Sequence, residues 1–324
     1  MRTKGLTFLS ALLLGLVGVL RAFGDTLPDP LALGQALSLA EEHPRVRLGA
    51  EAAAFPRRQP LYLDCHHLAY SQLGSDDRRS RPLDALLSPL AAQQLEIMER
   101  FLDVLLADLS YARYNEAMAV AYIQYDRANV RRELGQFSEL RVAELETTYQ
   151  DVLRKRAASE ASQRVTRALL AQAVARPGEL PRNLVVPPLA SPPAELPSVQ
   201  DLLARRAETL ASDEGASVGG DERERLFAME WQQQVLELLQ RLQALQAAAR
   251  YADTDSFMRD LKLDESRTLY EQEVKADLGF SMSQQTRAHL QEQRVTYCRA
   301  LAWAEINALL GEPVWVQTES ETSP

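Results

Sequence analysis

Apolar residues recur along this chain with the spacing of packed helices. Between residues 235 and 249 they follow each other at intervals of 3, 4, 3 and 4, at Val235, Leu238, Leu242, Leu245 and Ala249. This spacing is typical of a coiled-coil seam. A second, alanine-rich stripe predicts a close approach between helices at Ala157, Ala161, Val165, Ala168 and Gln172. Helical runs of about 40 residues would reach about 60 Å, which is longer than a compact domain. We therefore expect an all-α, elongated fold with little or no β structure, and an ordinary globular helical core is the alternative.

One motif occurs twice, about 144 residues apart. Residues 131–140 and 273–282 each contain a polar helical run, a Leu-Gly pair and a second helical run. Glycine tolerates the positive φ with which a chain leaves one helix and turns back. We therefore expect the pairs Leu134-Gly135 and Leu278-Gly279 to be the tips of two long helical hairpins. Short amphipathic helices are predicted upstream of each hairpin, at residues 31–40 and 196–204.

These elements divide the chain into two repeats. We expect a signal peptide at 1–24, a first hairpin repeat at 25–176 with an irregular insert at 55–89, and a second repeat at 198–311. Seven prolines between residues 177 and 197 predict an extended linker between the repeats. Residues 312–324 are predicted to form a flexible tail.

The N-terminus predicts export. Arg2 and Lys4 precede an apolar stretch at 6–20, and small residues at Ala22 and Gly24 fit a signal-peptidase site. An uncleaved anchor is the alternative, although fifteen residues are short for a membrane span. Loss of Arg2, Lys4 and Arg21 would lower the formal net charge from −9 to −12. Such an acidic chain is a poor candidate for binding nucleic acid or anionic lipid.

Few residues suggest a catalytic or metal-binding site. The sequence Asp64-Cys65-His66-His67 contains metal-ligand types, but adjacent side chains point apart and no second ligand pair stands elsewhere, so we expect an ordinary polar loop. Cys298 is expected to be a small buried residue. A Cys65–Cys298 disulfide is permitted in an exported protein, yet nothing in the spacing shows that the two are close. Because phosphate-loop, nucleophile-elbow and zinc-protease motifs are missing from the sequence, we expect no enzyme activity, cofactor or metal.

Together these features resemble the TolC-like outer-membrane efflux proteins. The resemblance rests on the internal duplication, on the opening helix Leu-x-Leu-x-x-Ala-Leu-x-x-Ala at residues 31–40, and on hairpin tips of the form Gly-x-x-Ser/Thr. It continues through residues 270–279 and 301–311, and covers most of the chain between residues 31 and 311.

The resemblance implies a trimer whose hairpins line a periplasmic helical tunnel and whose tips dock onto the membrane-fusion adaptor of an inner-membrane pump. It also implies an outer-membrane β-barrel, which needs two strands of about 10 residues in each repeat. The first insert offers one candidate strand, at residues 61–70, and residues 212–225 offer none. We therefore expect a retained helical body with a missing or reduced barrel, located in the periplasm or associated with the outer membrane.

Two functions remain open at this point. The chain is either a component of an export or efflux assembly, or a periplasmic helical interaction or scaffold protein that has lost transport. In the first case the docking residues would be those at the two tips: Leu134, Gly135, Gln136, Phe137, Ser138, Leu278, Gly279, Phe280, Ser281 and Met282. Phe137, Phe280 and Met282 suit a small docking surface, and the alternative is that they only staple each turn to its own helices.

Overall fold

A computed structural model describes residues 26–70, 82–212, 222–272 and 278–316. The predicted signal peptide and the residues 273–277 of the second predicted turn lie outside this part of the chain. The described α-helices are α1 (Leu33–Ser38), α2 (Pro44–Leu48), α3 (Cys65–Tyr70), α4 (Pro82–Leu86), α5 (Pro89–Glu133), α6 (Glu139–Ala173), α7 (Val199–Ser212), α8 (Glu222–Glu271) and α9 (Leu278–Leu310). Two short 3₁₀-helices span Leu39–Glu42 and Gly49–Ala54.

Four long helices form one layer. They are α5, α6, α8 and α9, with 45, 35, 50 and 33 residues. Across the layer they follow in the order α6, α5, α9 and α8, so that α6 and α8 form its outer edges. The described residues contain one isolated β-bridge, a parallel bridge between Leu31 and Leu184. The predicted all-α fold of elongated, duplicated hairpins is confirmed.

Local signals explain where the long helices of the first hairpin begin. The Ser88 hydroxyl accepts a hydrogen bond from the backbone N–H of Ala91 at 3.2 Å, and Pro89 occupies the first helical position of α5. Ser138 caps α6 in the same way through the N–H of Arg141, at 3.2 Å. Each cap satisfies a backbone donor that the helix itself leaves free.

The largest side chains are packed at the end of the layer where the short helices lie. Trp231 of α8 is buried there and donates from its indole nitrogen to the carbonyl of Leu309 at 3.1 Å. All five residues of the predicted seam are buried as well: Val235, Leu238, Leu242, Leu245 and Ala249. Toward the hairpin tips the buried positions carry smaller residues, such as Ala128, Ser266 and Ser281. The four helices therefore share a large apolar core at one end only.

Among the described residues, the alanine-rich stripe of α6 is not covered by another helix, so the predicted close approach is not made within this part of the chain. Ala157, Ala161, Ala168 and Gln172 are exposed, and 47% of the Val165 surface is accessible. The face of α6 that packs on α5 contains Ser159, Thr166 and Leu170 instead. The stripe lies on an open edge of the layer.

The insert between residues 55 and 70 folds back onto the layer. The candidate strand at residues 61–70 is wrong, because residues 65–70 form helix α3, whose first turn is capped by the Asp64 carboxylate accepting from the N–H of His67 at 3.0 Å. The segment before it is held by Asp103 of α5. That buried carboxylate accepts from the backbone N–H groups of the three residues from 61 to 63, at 2.9, 2.7 and 3.0 Å. Burial raises the pKa of Asp103, against the effect of these three hydrogen bonds.

Two further connections attach the insert. Arg57 pairs with Glu96 of α5 and lies 3.5 Å from the Asp84 carboxylate. Cys65 forms a disulfide with Cys298 of α9, across a sequence separation of 233 residues. The expectation that Cys298 is only a small apolar core residue is therefore wrong. The bond fixes α3 to α9 and closes a loop that contains the first hairpin and most of the second.

The proline-rich segment runs along the first repeat. Leu31 donates from its N–H to the carbonyl of Asn183 at 2.9 Å, and its carbonyl accepts from the N–H of Val185 at 2.9 Å. The Arg167 guanidinium binds both the Asp108 carboxylate and the carbonyl of Pro181, which fastens this segment to α5 and α6. Within the described ranges, none of the helices combines the length and the apolar composition that a membrane span requires.

Candidate functional site: the hairpin tips

The first tip has the geometry that the sequence predicts. Helix α5 ends at Glu133, and Gly135 follows with a φ of 71°. The N–H groups of Gly135 and Gln136 donate to the carbonyls of Arg132 and Arg131, each at 2.8 Å. These two bonds are those of a glycine C-cap, and Ser138 then begins α6. A positive φ strains any residue with a side chain, which explains the glycine.

Apolar side chains around this tip are unusually exposed. The accessible fractions are 67% for Leu134, 70% for Leu140 and 52% for Val130. Phe137, by contrast, is half-buried, and the Arg131 guanidinium lies 5.2 Å from its ring centroid. Phe137 thus contacts α5 through Arg131, whereas Leu134 offers the larger exposed apolar surface. Sequence reasoning missed Val130 and Leu140, which are recognisable only once the side of the helix that faces solvent is known.

The second Leu-Gly pair has a different place. Leu278 and Gly279 are the first residues of α9, and Gly279 is helical rather than left-handed, so the prediction of a positive-φ turn at this glycine is wrong. A Cβ atom at Gly279 would lie 2.8 Å from a methyl group of Val120. Gly279 is thus required for the close approach of α9 to α5, and the turn itself falls outside the described residues.

Around Gly279 the side chains alternate between contact and exposure. Ser281 is buried, and its hydroxyl lies 2.7 Å from that of Ser266 on α8. Phe280 and Met282 are 56% and 36% exposed. A polar link thus joins α9 to α8 on one face, and large apolar groups remain accessible on the other.

The two predicted docking groups do not meet in one surface. Gly279 lies beside Val120, but α5 continues from there to Glu133, about 20 Å further at 1.5 Å per residue. Helix α8 continues only from Ser266 to Glu271 beyond its link with α9, about 8 Å. Over the described residues the first hairpin therefore extends farther than the second, and Leu134 and Phe280 belong to separate patches.

Charges at the first tip are solvated pairs. Arg132 lies 3.8 Å from Glu139 across the turn, and Arg141 lies 2.9 Å from Glu144 within α6. Exposed pairs of this kind contribute little to stability because water and salt screen them. The tip is therefore an apolar surface surrounded by charges of both signs.

The candidate metal sequence has a structural role. Cys65 is consumed by the disulfide, so its thiolate is not available as a ligand. His66 packs edge-on against Tyr70, with ring centroids 4.8 Å apart. Within the described residues, groups of three or more His, Cys, Asp or Glu arranged to hold a metal ion are not found.

This chain is similar to several solved structures of membrane proteins. The chain is similar to CusC, in a crystal structure that concerns folding and transmembrane channel formation, with a TM-score of 0.56 and 12% identity over 86% of this chain and 96% of that one. It is also similar to the outer membrane protein VceC from Vibrio cholerae, with a TM-score of 0.48 and 11% identity over 87% of this chain and 97% of that one. For the open MtrE outer membrane channel of Neisseria gonorrhoeae the TM-score is 0.41 and the identity 13%, over 89% and 91% of the two chains.

At these sequence identities the similarity shows the fold alone. The comparison with CusC supports the fold, because its TM-score is above 0.5. No protein-family model matches the sequence, and no curated relative matches it.

Proposed function

We propose that this chain, which has a TolC-like fold, is a component of an envelope export or efflux system that forms a periplasmic helical tunnel or docking element. In this proposal it acts as a homotrimer, and its hairpin tips bind the membrane-fusion adaptor of an inner-membrane pump. It carries out no catalysis and needs no cofactor. The observation that carries the proposal is the single layer of four long helices with two open edges.

The two edges differ in a way that suits contact between copies. On α6 the exposed edge carries the small residues of the alanine-rich stripe. On α8 the exposed side chains are large and apolar: 65% of Phe257, 55% of Leu261 and 42% of Met258 are accessible. Large side chains on one helix pack well into a surface of small residues on another.

Hydrogen bonds across the layer place these two surfaces at the same height. Arg156 of α6 binds Asn115 of α5 at 3.0 Å, and the next residue of α5, Glu116, accepts from Thr286 of α9 at 2.5 Å. The adjacent residue of α9 is Gln285, which donates to Asp260 of α8 at 2.6 Å. The small-residue edge near Ala157 is therefore level with Leu261 on the opposite edge.

Because the edges are different, the α6 edge of one copy would pack against the α8 edge of the next. Such a head-to-tail contact closes into a ring when the rotation between copies permits it. The up-and-down alternation of helices would continue through the contact, since α6 runs away from its hairpin tip and α8 runs toward its own. This is the geometry that a helical tunnel needs.

The trimer is tested by the mass of the purified protein in solution. Phe257→Asp combined with Leu261→Asp should convert a trimer into monomers that keep the helical circular dichroism of wild type, because both side chains are exposed within the single chain. Val186→Asp is a matched control, since Val186 is 65% exposed but lies in the proline-rich segment. A monomeric wild-type protein, or a double variant with unchanged mass, would contradict the proposal.

Tip docking is tested by pull-down with a membrane-fusion adaptor of the source organism. Leu134→Ser should abolish pull-down of that adaptor while the melting temperature stays the same, because Leu134 is 67% exposed. Phe137→Ser and Phe280→Ser separate docking from stapling: loss of binding at constant stability supports docking, and a large fall in melting temperature with binding retained makes these two residues structural. Val186→Ser is the control for an exposed apolar residue elsewhere.

Export to the periplasm is part of the proposal and is supported by the disulfide. Disulfides form and persist mainly in oxidising compartments. N-terminal sequencing of protein from a periplasmic fraction should begin near Asp25. Recovery from the cytoplasm with Met1 still present would contradict it.

The second candidate function is a periplasmic interaction or scaffold protein. It is favoured by the insert, whose residues 55–70 fold back onto α5 and α9 and are covalently fixed there. A trimer that binds no adaptor through either tip would support this alternative over the first.

A further inference from the structure

A cavity of about 520 Å³ opens between α5, α8, α9 and the insert near Leu61. Four arginines line it: Arg113 from α5, Arg259 from α8, and Arg287 and Arg294 from α9. Among the described residues Asp255 is the one carboxylate in the lining, although the whole chain carries a formal net charge of −9. Positive charge is thus concentrated in a cavity of an otherwise acidic protein.

Asp255 neutralises one of these arginines. Its carboxylate lies 3.3 Å from Arg259. Over the described residues, the other three arginines of the cavity take part in no salt bridge. Asp64 and Asp103 lie near Arg294 and offset part of its charge, so three carboxylates stand against the four guanidinium groups. The cavity therefore keeps an excess of positive charge.

Burial makes the charged forms of these arginines less favourable. The guanidinium of Arg113 lies over the ring of Tyr114, with 4.9 Å from its Cζ to the ring centroid. Burial lowers the pKa of Arg113, and the positive charge of Arg287 lowers it further, against the opposing effect of Tyr114. Burial also lowers the pKa of Arg294. Its Nε atom is buried and has no hydrogen-bond partner among the described residues. An anion in the cavity would offset the repulsion between these guanidinium groups.

The rest of the lining indicates what kind of anion fits. Arginine side chains present planar donor forks that match phosphate and carboxylate oxygens. Leu61, Leu106 and Leu290 provide an apolar wall in the same cavity. A volume of about 520 Å³ lies in the range of small-molecule sites and exceeds what a bare oxyanion fills.

We propose that this cavity binds a small organic anion, with a phosphate or carboxylate group held by Arg113, Arg287 and Arg294 and an apolar part against the leucines. The site lies within one chain. It therefore does not depend on the trimer or on adaptor docking, and either proposal can fail without the other.

Calorimetric titration at constant ionic strength tests the site, with phenyl phosphate and inorganic phosphate as probes. The wild-type protein should bind phenyl phosphate, and bind it more tightly than inorganic phosphate. Arg113→Gln and Arg294→Gln should each weaken binding by about 10- to 100-fold, the loss of one charge-assisted hydrogen bond. Arg164→Gln, at an exposed arginine of α6 paired with Glu160, should leave it unchanged.

A second measurement separates binding from a structural role. Arg113→Gln should raise the urea midpoint of the ligand-free protein, because it removes the repulsion with Arg287, whereas loss of a structural residue would lower it. Arg287→Gln, at an exposed position, replaces Arg294→Gln if that variant does not fold. No binding of phenyl phosphate, equal affinity for the two probes, or unchanged affinity in the arginine variants would overturn the proposal.

Discussion

The Cys65–Cys298 disulfide allows the sharpest prediction about stability. Reduction breaks a covalent link between α3 and α9 and leaves every other atom of the protein in place. In the folded protein the insert is still held by Asp103 and Arg57, so we expect the helical structure to persist. The effect should therefore lie mainly in the unfolded chain, which becomes free to expand.

The magnitude follows from the length of the closed loop. For a sequence separation of 233 residues, the chain-entropy relation gives about 5.5 kcal/mol at 25 °C. Losses measured on removing native disulfides are about 2–5 kcal/mol, so the calculated figure is an upper bound. Even the lower end is a large part of the stability of a typical domain, which is about 5–15 kcal/mol.

This difference is measured by urea unfolding with and without a thiol reductant, and unfolding is followed by circular dichroism. A loss of about 5 kcal/mol would lower the midpoint by about 2 M urea, for a slope of about 2–3 kcal/mol per M. The variant Cys65→Ala/Cys298→Ala is the matched control, because its midpoint should not respond to the reductant. Thiol labelling of the untreated protein should detect no free cysteine.

Two results would refute the reasoning. Labelling of both cysteines in the untreated, periplasmic protein would mean that the bond does not form. An intact bond whose reduction leaves the midpoint unchanged would mean that the unfolded chain is not constrained by the loop. If helicity is instead lost on reduction without urea, the bond holds the folded layer together, and the insert contributes more than its contacts with α5 suggest.

Four further predictions concern single residues. Asp103→Asn should destabilise the protein by about 1–3 kcal/mol in urea unfolding. The backbone N–H groups of the insert donate to both carboxylate oxygens of Asp103, and an amide has only one oxygen that can accept them. Gly135→Ala should lower the free energy of unfolding by about 1–2 kcal/mol, because residue 135 has a positive φ. Gly279→Ala should cost about 1–3 kcal/mol through collision with Val120, and Val120→Ala should rescue it. Burial lowers the pKa of His43, so the unfolded chain binds the proton more readily, and stability should fall as the pH drops below about 6.5. His43→Asn, which can keep the helix cap, should remove this part of the pH dependence.

Specific outcomes would test these predictions. An Asp103→Asn variant as stable as wild type would mean that the insert is held by its other contacts. Failure of Val120→Ala to rescue Gly279→Ala would show that the glycine is needed for something besides close approach. For His43, the pH dependence of the asparagine variant should differ from that of wild type only below about pH 6.5, the ordinary value for histidine.

The sequence by itself determined the elements. Period and composition predicted long helices, and the four long helices of the layer confirm the all-α prediction. The first hairpin tip was also readable, because Gly135 and the Ser138 cap act through backbone bonds to residues a few positions away. The TolC-like fold followed from the order and duplication of such local signals, and the CusC comparison confirms it.

Tertiary structure decided which surfaces these elements present. A stripe of small residues predicts that some helix packs there, but on α6 it lies at an open edge of the layer. The second Leu-Gly pair has the same residues as the first. Its glycine is nevertheless needed for packing against Val120, which lies about 160 residues away in sequence. The disulfide likewise joins α3 to α9, and the arginine cavity joins residues of α5, α8, α9 and the insert. Local periodicity reports the side of a helix that is apolar, whereas the neighbour that covers it depends on long-range packing.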